Sequence, residues 1–221
     1  MQLSQTQTAP HQISSTYFGR VIGWFGLALG VSALGAYIGF NYALPAMVSS
    51  NMLMIGAIVL ELILILTSRY WSKIRPLNYI LFALFAFASG FTLAPILYMS
   101  LSVGNGDILY RALGATMVTF VAAGLIAWKT SIDMFKFQGF LFFALIGMII
   151  VGLIGIFFPF GSLMESLYTF FGILLFTGYI MFDMQRIKYG AGQNEMELAL
   201  ALYLDIFNLF LYILRFLSRD H

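Results

Sequence analysis

Leu198-Ala-Leu-Ala-Leu-Tyr-Leu-Asp205-Ile-Phe-Asn208-Leu-Phe210 carries a carboxylate with apolar residues for several turns on both sides. The segment before it, Gly178-Tyr-Ile-Met-Phe-Asp183-Met-Gln-Arg186, repeats the pattern. A charged side chain in hydrocarbon is expensive, so it turns toward a partner or a water-filled cavity. Two of them on consecutive helices predict a bundle with a polar interior, in which the pair shares a proton and gates a path.

The last helix shows how that interior is built. Ala201, Asp205, Asn208, Tyr212 and Arg215 recur at steps of four, three, four and three, which is one face of a helix. The rest is mainly Leu, Ile, Phe and Ala, so the polar stripe turns inward and the helix is central. Tyr179, Asp183 and Arg186 form a matching stripe on the helix before it.

Composition settles the surroundings. Of 221 residues, 61% are hydrophobic and 9% charged, whereas soluble domains carry about a quarter charged residues. A β-barrel would impose alternating polar residues on its lumen face, and the apolar runs here are uninterrupted. The fold class is therefore all-α, a polytopic membrane protein. Cysteine is absent, which excludes disulfides and thiolate metal sites. The two histidines, His11 and His221, lie outside the apolar segments. A net charge of +2 without a basic stripe excludes a nucleic-acid partner.

Crossing a hydrocarbon core of roughly 30 Å takes about 20 helical residues. Seven segments are predicted to span: Tyr17–Phe40, Met47–Thr67, Leu77–Met99, Leu109–Trp128, Phe137–Phe158, Leu163–Phe182 and Glu195–Leu217. Residues 1–16 read as a flexible tail without the basic region of a signal peptide, and 17–221 as one transmembrane domain. Asn41 and Pro45 are expected to break the chain after the first span, and Pro95 to kink the third. Gly104-Asn105-Gly106-Asp107 and Tyr189-Gly-Ala-Gly192 read as turns. Ser162 with Glu165, and Asn194 with Glu197, have capping-box spacing. Gly19 with Gly23, and Gly35 with Gly39, are small-xxx-small pairs, read as intramolecular packing rather than a dimer face.

Loop charges set the orientation. Arg69, Lys73 and Arg75 follow the second span, Lys129 and Lys136 the fourth, Arg186 and Lys188 the sixth, and the loops after the first and fifth have none. The positive-inside rule then puts the amino terminus in the cytoplasm. Arg215 and Arg219 at the opposite end fit that rule poorly, unless they are neutralised locally or the seventh helix is re-entrant.

Two polar layers follow. The inner joins Asp183 and Asp205 with Arg69 in reach; the outer joins Glu61 with Arg215, about 15 Å farther along the last helix than Asp205. Each residue also has a plainer reading. Asp183 has Arg186 and Lys188 beside it, Glu61 with Arg215 would be structural, Asp107 with Arg111 is a surface pair, and Asp133 is a loop charge. Two carboxylates in hydrogen-bond range do not readily both ionise, and a proton between them belongs to the pair. Carboxylate oxygens also suit Ca²⁺, so Asp183 and Asp205 form a candidate calcium site.

Leu202-Tyr-Leu-Asp-Ile-Phe-Asn-Leu-Phe-Leu-Tyr-Ile-Leu-Arg215 resembles the last helix of the Bax inhibitor-1 family, the transmembrane Bax inhibitor motif proteins. Tyr179-Ile-Met-Phe-Asp183 with Arg186-Ile-Lys188 is a second match; Phe87-Ala-Ser-Gly-Phe-Thr-Leu93 and Ala144-Leu-Ile-Gly147 are weaker ones. The resemblance implies seven helices with the last enclosed by six, and a calcium leak modulated by pH through a di-aspartyl unit, onto which Asp183 and Asp205 map. It also implies an arginine on the second helix. An ungapped match lands on Ser72 instead, with Arg69 one turn away as the substitute. A bacterial inner-membrane version is the expected form.

The expectation is a pH-sensitive calcium or cation leak channel, not an enzyme, with no tightly bound cofactor and with Ca²⁺ as the permeant ion. Its partners are the lipid bilayer, calcium ions and other membrane proteins. The competing readings are a non-conducting scaffold or modulator of other membrane proteins, a proton-coupled transporter and an intramembrane aspartyl protease. The protease reading lacks the Gly-x-Gly-Asp and Pro-Ala-Leu motifs it needs.

Overall fold

The computed structural model describes residues 15–50, 52–104, 106–190 and 194–218. Most of the tail, Asn105 of the predicted turn, Ala191 and Gly192 of the link, Arg219 and both histidines lie outside the described residues. Among the described residues there is no strand. The elements run α1 Ser15–Ile38, a π-helical turn Gly39–Ala43, α2 Leu44–Ser49, α3 Met52–Leu66, α4 Ser68–Trp71, α5 Leu77–Thr92, α6 Ala94–Gly104, α7 Asp107–Lys129, a 3₁₀ turn Met134–Phe137, α8 Gln138–Phe157, α9 Ser162–Tyr189 and α10 Glu195–Leu217.

Six helical stretches among the described residues are long and apolar enough to cross a membrane: Thr16–Ser49, Leu77–Ser102, Asp107–Lys129, Met134–Phe157, Ser162–Tyr189 and Glu195–Leu217. The expected count of seven is not confirmed among the described residues. The second predicted span reduces to α3, whose 15 residues cover about 22 Å at 1.5 Å each. Its first residues belong to the helical run from α1. Asn41 and Pro45 do not break that run, because the π-helical turn absorbs the distortion and Pro45 enters the first turn of α2, where no amide partner is needed. Pro95 acts as expected: α5 stops at Thr92 and the chain re-enters helix at Ala94.

The capping expectations divide. Asn194 caps α10, its side chain accepting the Met196 amide at 3.0 Å. Glu197 does not reach back but accepts the Ser72 hydroxyl at 2.9 Å. The cap of α9 is Gly161, with Ser162 already inside the helix. Gly106, at φ 79°, holds the left-handed turn into α7.

The bundle is assembled around α10, which packs on α9, α1 and α7. Its inward residues include Leu198, Leu202, Tyr203, Leu209 and Leu214, all at most 1% exposed. The lateral surface is apolar, with Phe140, Phe143, Phe157 and Leu163 exposed, while Ser32, Ser89, Thr116, Gln185 and both aspartates are buried. That distribution suits a hydrocarbon solvent.

Close helix approach occurs where α1 crosses α5. Gly35 lies against the Phe87 carbonyl and Gly90 against the Ser32 carbonyl, so neither position has room for a side chain. Gly39 packs on Ala94 and Phe91, which makes the second glycine pair intramolecular; Gly19 and Gly23 meet nothing within 4 Å. Tyr203 of α10 closes the crossing, its hydroxyl donating to Ser32 Oγ at 3.0 Å.

One end of the bundle gathers the loop charges. Arg20 pairs with Glu195 at 2.6 Å, Lys188 donates to the Trp128 carbonyl at 2.6 Å, and the Ser72 carbonyl accepts from Asn194 at 2.9 Å. These contacts bring the start of α1 and the loops following α4, α7 and α9 together.

Candidate functional site

A cavity of about 810 Å³ runs between α3, α5, α8, α9 and α10. Asp183, Asp205, Arg186, Glu61, Asn208 and Tyr212 all line it. Its shape follows from the two helical stripes. Ala201, Asp205, Asn208 and Tyr212 face it from α10, and Tyr179, Asp183 and Arg186 from α9.

Asp183 and Asp205 meet at the end nearer the loop charges. They are 3% and 5% exposed, and their carboxyl groups lie within hydrogen-bonding reach of each other. Asp183 Oδ1 accepts from Arg186 Nη1 at 2.7 Å. Asp205 Oδ2 is buried and has no donor. Two ionised carboxylates offer only acceptors, so a bond between them requires one proton. Buried polar groups left without partners are costly, and a shared proton is the cheapest remedy within the described residues.

The guanidinium at the pair is Arg186, not the expected Arg69. Arg69 is exposed and belongs to α4; the break at Thr67 separates it from the α3 face that carries Glu61. Arg186 lies one helical turn from Asp183, which makes the ion pair local. The plainer reading of Asp183, an ion pair within its own helix, and the inward-facing one therefore hold together.

The expected outer pair of Glu61 with Arg215 does not form. Glu61 accepts from Thr92 Oγ1 at 3.0 Å and from Ser89 Oγ at 3.2 Å. Arg215 Nε donates to Glu165 Oε1 at 3.0 Å, near the start of α9. Glu61 faces α5, so its nearest donors are the hydroxyls of the Ser89-Gly-Phe-Thr92 turn. Asn208 lies between the two ends, its amide donating to the Leu204 carbonyl at 2.8 Å.

Three groups were missed in the sequence. Ser89 and Thr92 carry a legible signal, two hydroxyls three residues apart in an apolar helix. Gln185 carries none. It is 2% exposed, accepts the Met134 amide at 2.9 Å and donates to the Ile132 and Ala127 carbonyls at 2.8 and 3.3 Å, fastening the α7–α8 loop beside the site. The expected surface pair of Asp107 and Arg111 forms at 2.7 Å, both side chains exposed, and Asp133 caps the 3₁₀ turn through the Phe135 amide. Among the described residues no three His, Cys, Asp or Glu side chains converge into a metal-holding group. A cation at the pair would find no third carboxylate, imidazole or thiol among the described residues.

Comparison with known proteins decides the family. The family described as inhibitor of apoptosis-promoting Bax1 matches residues 14–221. The chain belongs to the Bax inhibitor-1 family. This Bax inhibitor-1 family member is similar to an uncharacterized membrane protein of Streptococcus pyogenes, 30% identical over 92% of this chain and 93% of the relative. It is similar to an uncharacterized protein of Campylobacter jejuni, 30% identical over 87% and 84%. The inner membrane protein YbhL of Escherichia coli is 28% identical over 96% and 95%. Named membrane relatives and six spanning-length apolar helices make this Bax inhibitor-1 family member a membrane protein, with its bundle in the bilayer.

Proposed function

We propose that the protein is a cation leak pathway, calcium among its ions, gated by protons at Asp183 and Asp205. The observation that carries the reading is the buried pair itself, two carboxyl groups in mutual reach, one oxygen without a donor, on the wall of an 810 Å³ cavity. Protonated, the pair joins α9 to α10. Ionised, the two charges repel and Asp183 keeps Arg186. That is a two-state element biased by pH. In the ionised state the oxygens are free to meet a hard cation such as Ca²⁺. The protein sits in a bacterial inner membrane, as the name of the Escherichia coli relative suggests, and the end rich in Lys and Arg faces the cytoplasm.

The test is calcium flux in liposomes holding the purified protein, from mildly acid to mildly alkaline pH. The native chain is expected to leak with a pH-dependent rate, and Asp205→Asn to leak at a rate indifferent to pH. An unchanged pH profile in Asp205→Asn overturns the gate.

One observation favours a non-conducting scaffold. Glu61 has two hydroxyl donors and Asp183 a guanidinium, which is how a purely structural polar interior would be arranged. Absence of flux from the native chain at every pH supports that reading.

A further inference from the structure

We infer that Tyr168 and Tyr212 form the constriction that closes the cavity at the end away from the aspartates and sets the size of ion that passes. The inference rests on the conducting reading for its selectivity, and on geometry alone for the closure.

Both phenols line the central cavity. The Tyr212 hydroxyl donates to Tyr168 at 3.1 Å, and the Tyr168 hydroxyl donates to the Met148 carbonyl at 3.2 Å. The chain of two bonds ties α10 to α9 and α9 to α8 at one level. Directly behind it, Arg215 pairs with Glu165 and lies 5.5 Å over the Tyr168 ring. A second cavity of about 460 Å³ is lined by Leu211, Leu214, Arg215 and residues of α6. Leu211 borders both spaces.

Two glycines make room for the two rings. A Cβ at Gly172 would stand 2.6 Å from Tyr212 Cγ, and one at Gly152 would stand 2.6 Å from the Tyr168 hydroxyl. Ordinary carbon contacts are about 3.5–4.0 Å, so any side chain at Gly172 displaces the Tyr212 ring. Phe176 stacks on that ring from one turn farther along α9, at 5.7 Å and 26°. Each phenol is thus seated on α9 or α8 by a missing side chain; Tyr212 is tied by one hydroxyl bond, and Tyr168 by the two that link it to Tyr212 and Met148. Such a contact can part without unpacking a helix. Parted, the hydroxyl oxygens and ring faces offer a dehydrated cation acceptors and π density.

The test compares liposome flux of calcium with that of a larger organic cation, N-methylglucamine. The native chain is expected to pass calcium and exclude the larger ion. Tyr212→Ala and Tyr168→Ala should admit both and keep the native pH response, while Tyr212→Phe, which retains the ring, should still exclude the larger ion. Alanine variants that exclude it as the native chain does overturn the size filter.

Closure is read separately, because the chain has no cysteine of its own. Asn208→Cys puts a thiol on the cavity wall, and Gly161→Cys marks the face that carries Glu165. In oriented membrane vesicles, an impermeant maleimide added to that face should label the marker but spare the Asn208→Cys thiol. Adding Tyr212→Ala or Gly172→Ala should raise labelling of the buried thiol roughly tenfold, which corresponds to about 1.4 kcal/mol of lost closure. Unchanged protection sinks the constriction whether or not ions flow. A native chain that conducts nothing sinks the conducting reading and with it the size filter.

Discussion

Gly90→Ala is the substitution that most directly tests how the bundle is held. A Cβ at Gly90 would fall against the Ser32 carbonyl oxygen, 2.6 Å from its carbon and 2.9 Å from its Cα. Carbon atoms rest at about 3.5–4.0 Å, so α1 and α5 must part by about 1 Å. The obstacle is backbone, and no rotamer change relieves it. The same movement draws Ser32 Oγ away from the Tyr203 hydroxyl, now 3.0 Å away in the buried core. Overpacking of this kind costs about 1–3 kcal/mol, and a buried hydrogen bond about 0.5–1.5 kcal/mol. The expected loss is roughly 2–4 kcal/mol in all. Gly23→Ala is the control: its added methyl meets nothing within 4 Å, and alanine is the better helix former by up to about 1 kcal/mol. Unfolding of both variants in mixed micles with rising denaturing detergent measures the difference. A Gly90→Ala protein as stable as Gly23→Ala would refute the account of the crossing.

Gln185→Leu leaves the Met134 amide and the Ile132 carbonyl without their side-chain partner and is expected to cost about 1–3 kcal/mol; faster proteolysis between α7 and α8 would report the released loop. Arg186→Gln removes the cation from a carboxylate whose side chain is 4% exposed, and loss of one partner of a buried pair is strongly destabilising. The double variant Arg186→Gln with Asp183→Asn should therefore be more stable than Arg186→Gln alone in the same detergent titration, and equal stability would count against the pair. Asn194→Ala removes both the cap on the Met196 amide and the bond to the Ser72 carbonyl; a loss of about 1 kcal/mol is expected, with faster amide exchange confined to the first turn of α10.

What could be read from the sequence was the periodic and the local. The stripe from Ala201 to Arg215 lies on one face because helical spacing alone decides it, and α10 has the predicted bounds, Glu195–Leu217. Asp183 and Asp205 were legible because a carboxylate in an apolar helix has few places to go. Pairings between helices were not legible in the same way. Arg69 and Arg186 both lie within a turn or two of the expected layer, and only the break at Thr67 and the approach of α9 to α10 choose between them. Glu165 lies fifty positions from Arg215 in the chain, and nothing in their spacing announces that they meet. The second span is not confirmed at its expected length, because hydropathy registers apolar character without helix continuity. The run through Pro45 stays helical, and the chain from Met47 onward splits into α2 and α3.

The helix that joins the others is also made after them. Ribosomes extend chains from the amino terminus, so α1 to α9 enter the membrane before α10 exists to fill the space between them. Until it arrives, Ser32 has no Tyr203 to cross to, Asp183 has no second carboxyl to share with, and Ser72 has no Glu197. The nascent bundle must therefore wait with a slot whose wall is mainly apolar, with Ser32, Ser72 and Asp183 as polar points on it. A chain stopped before Glu195 would leave that slot open permanently.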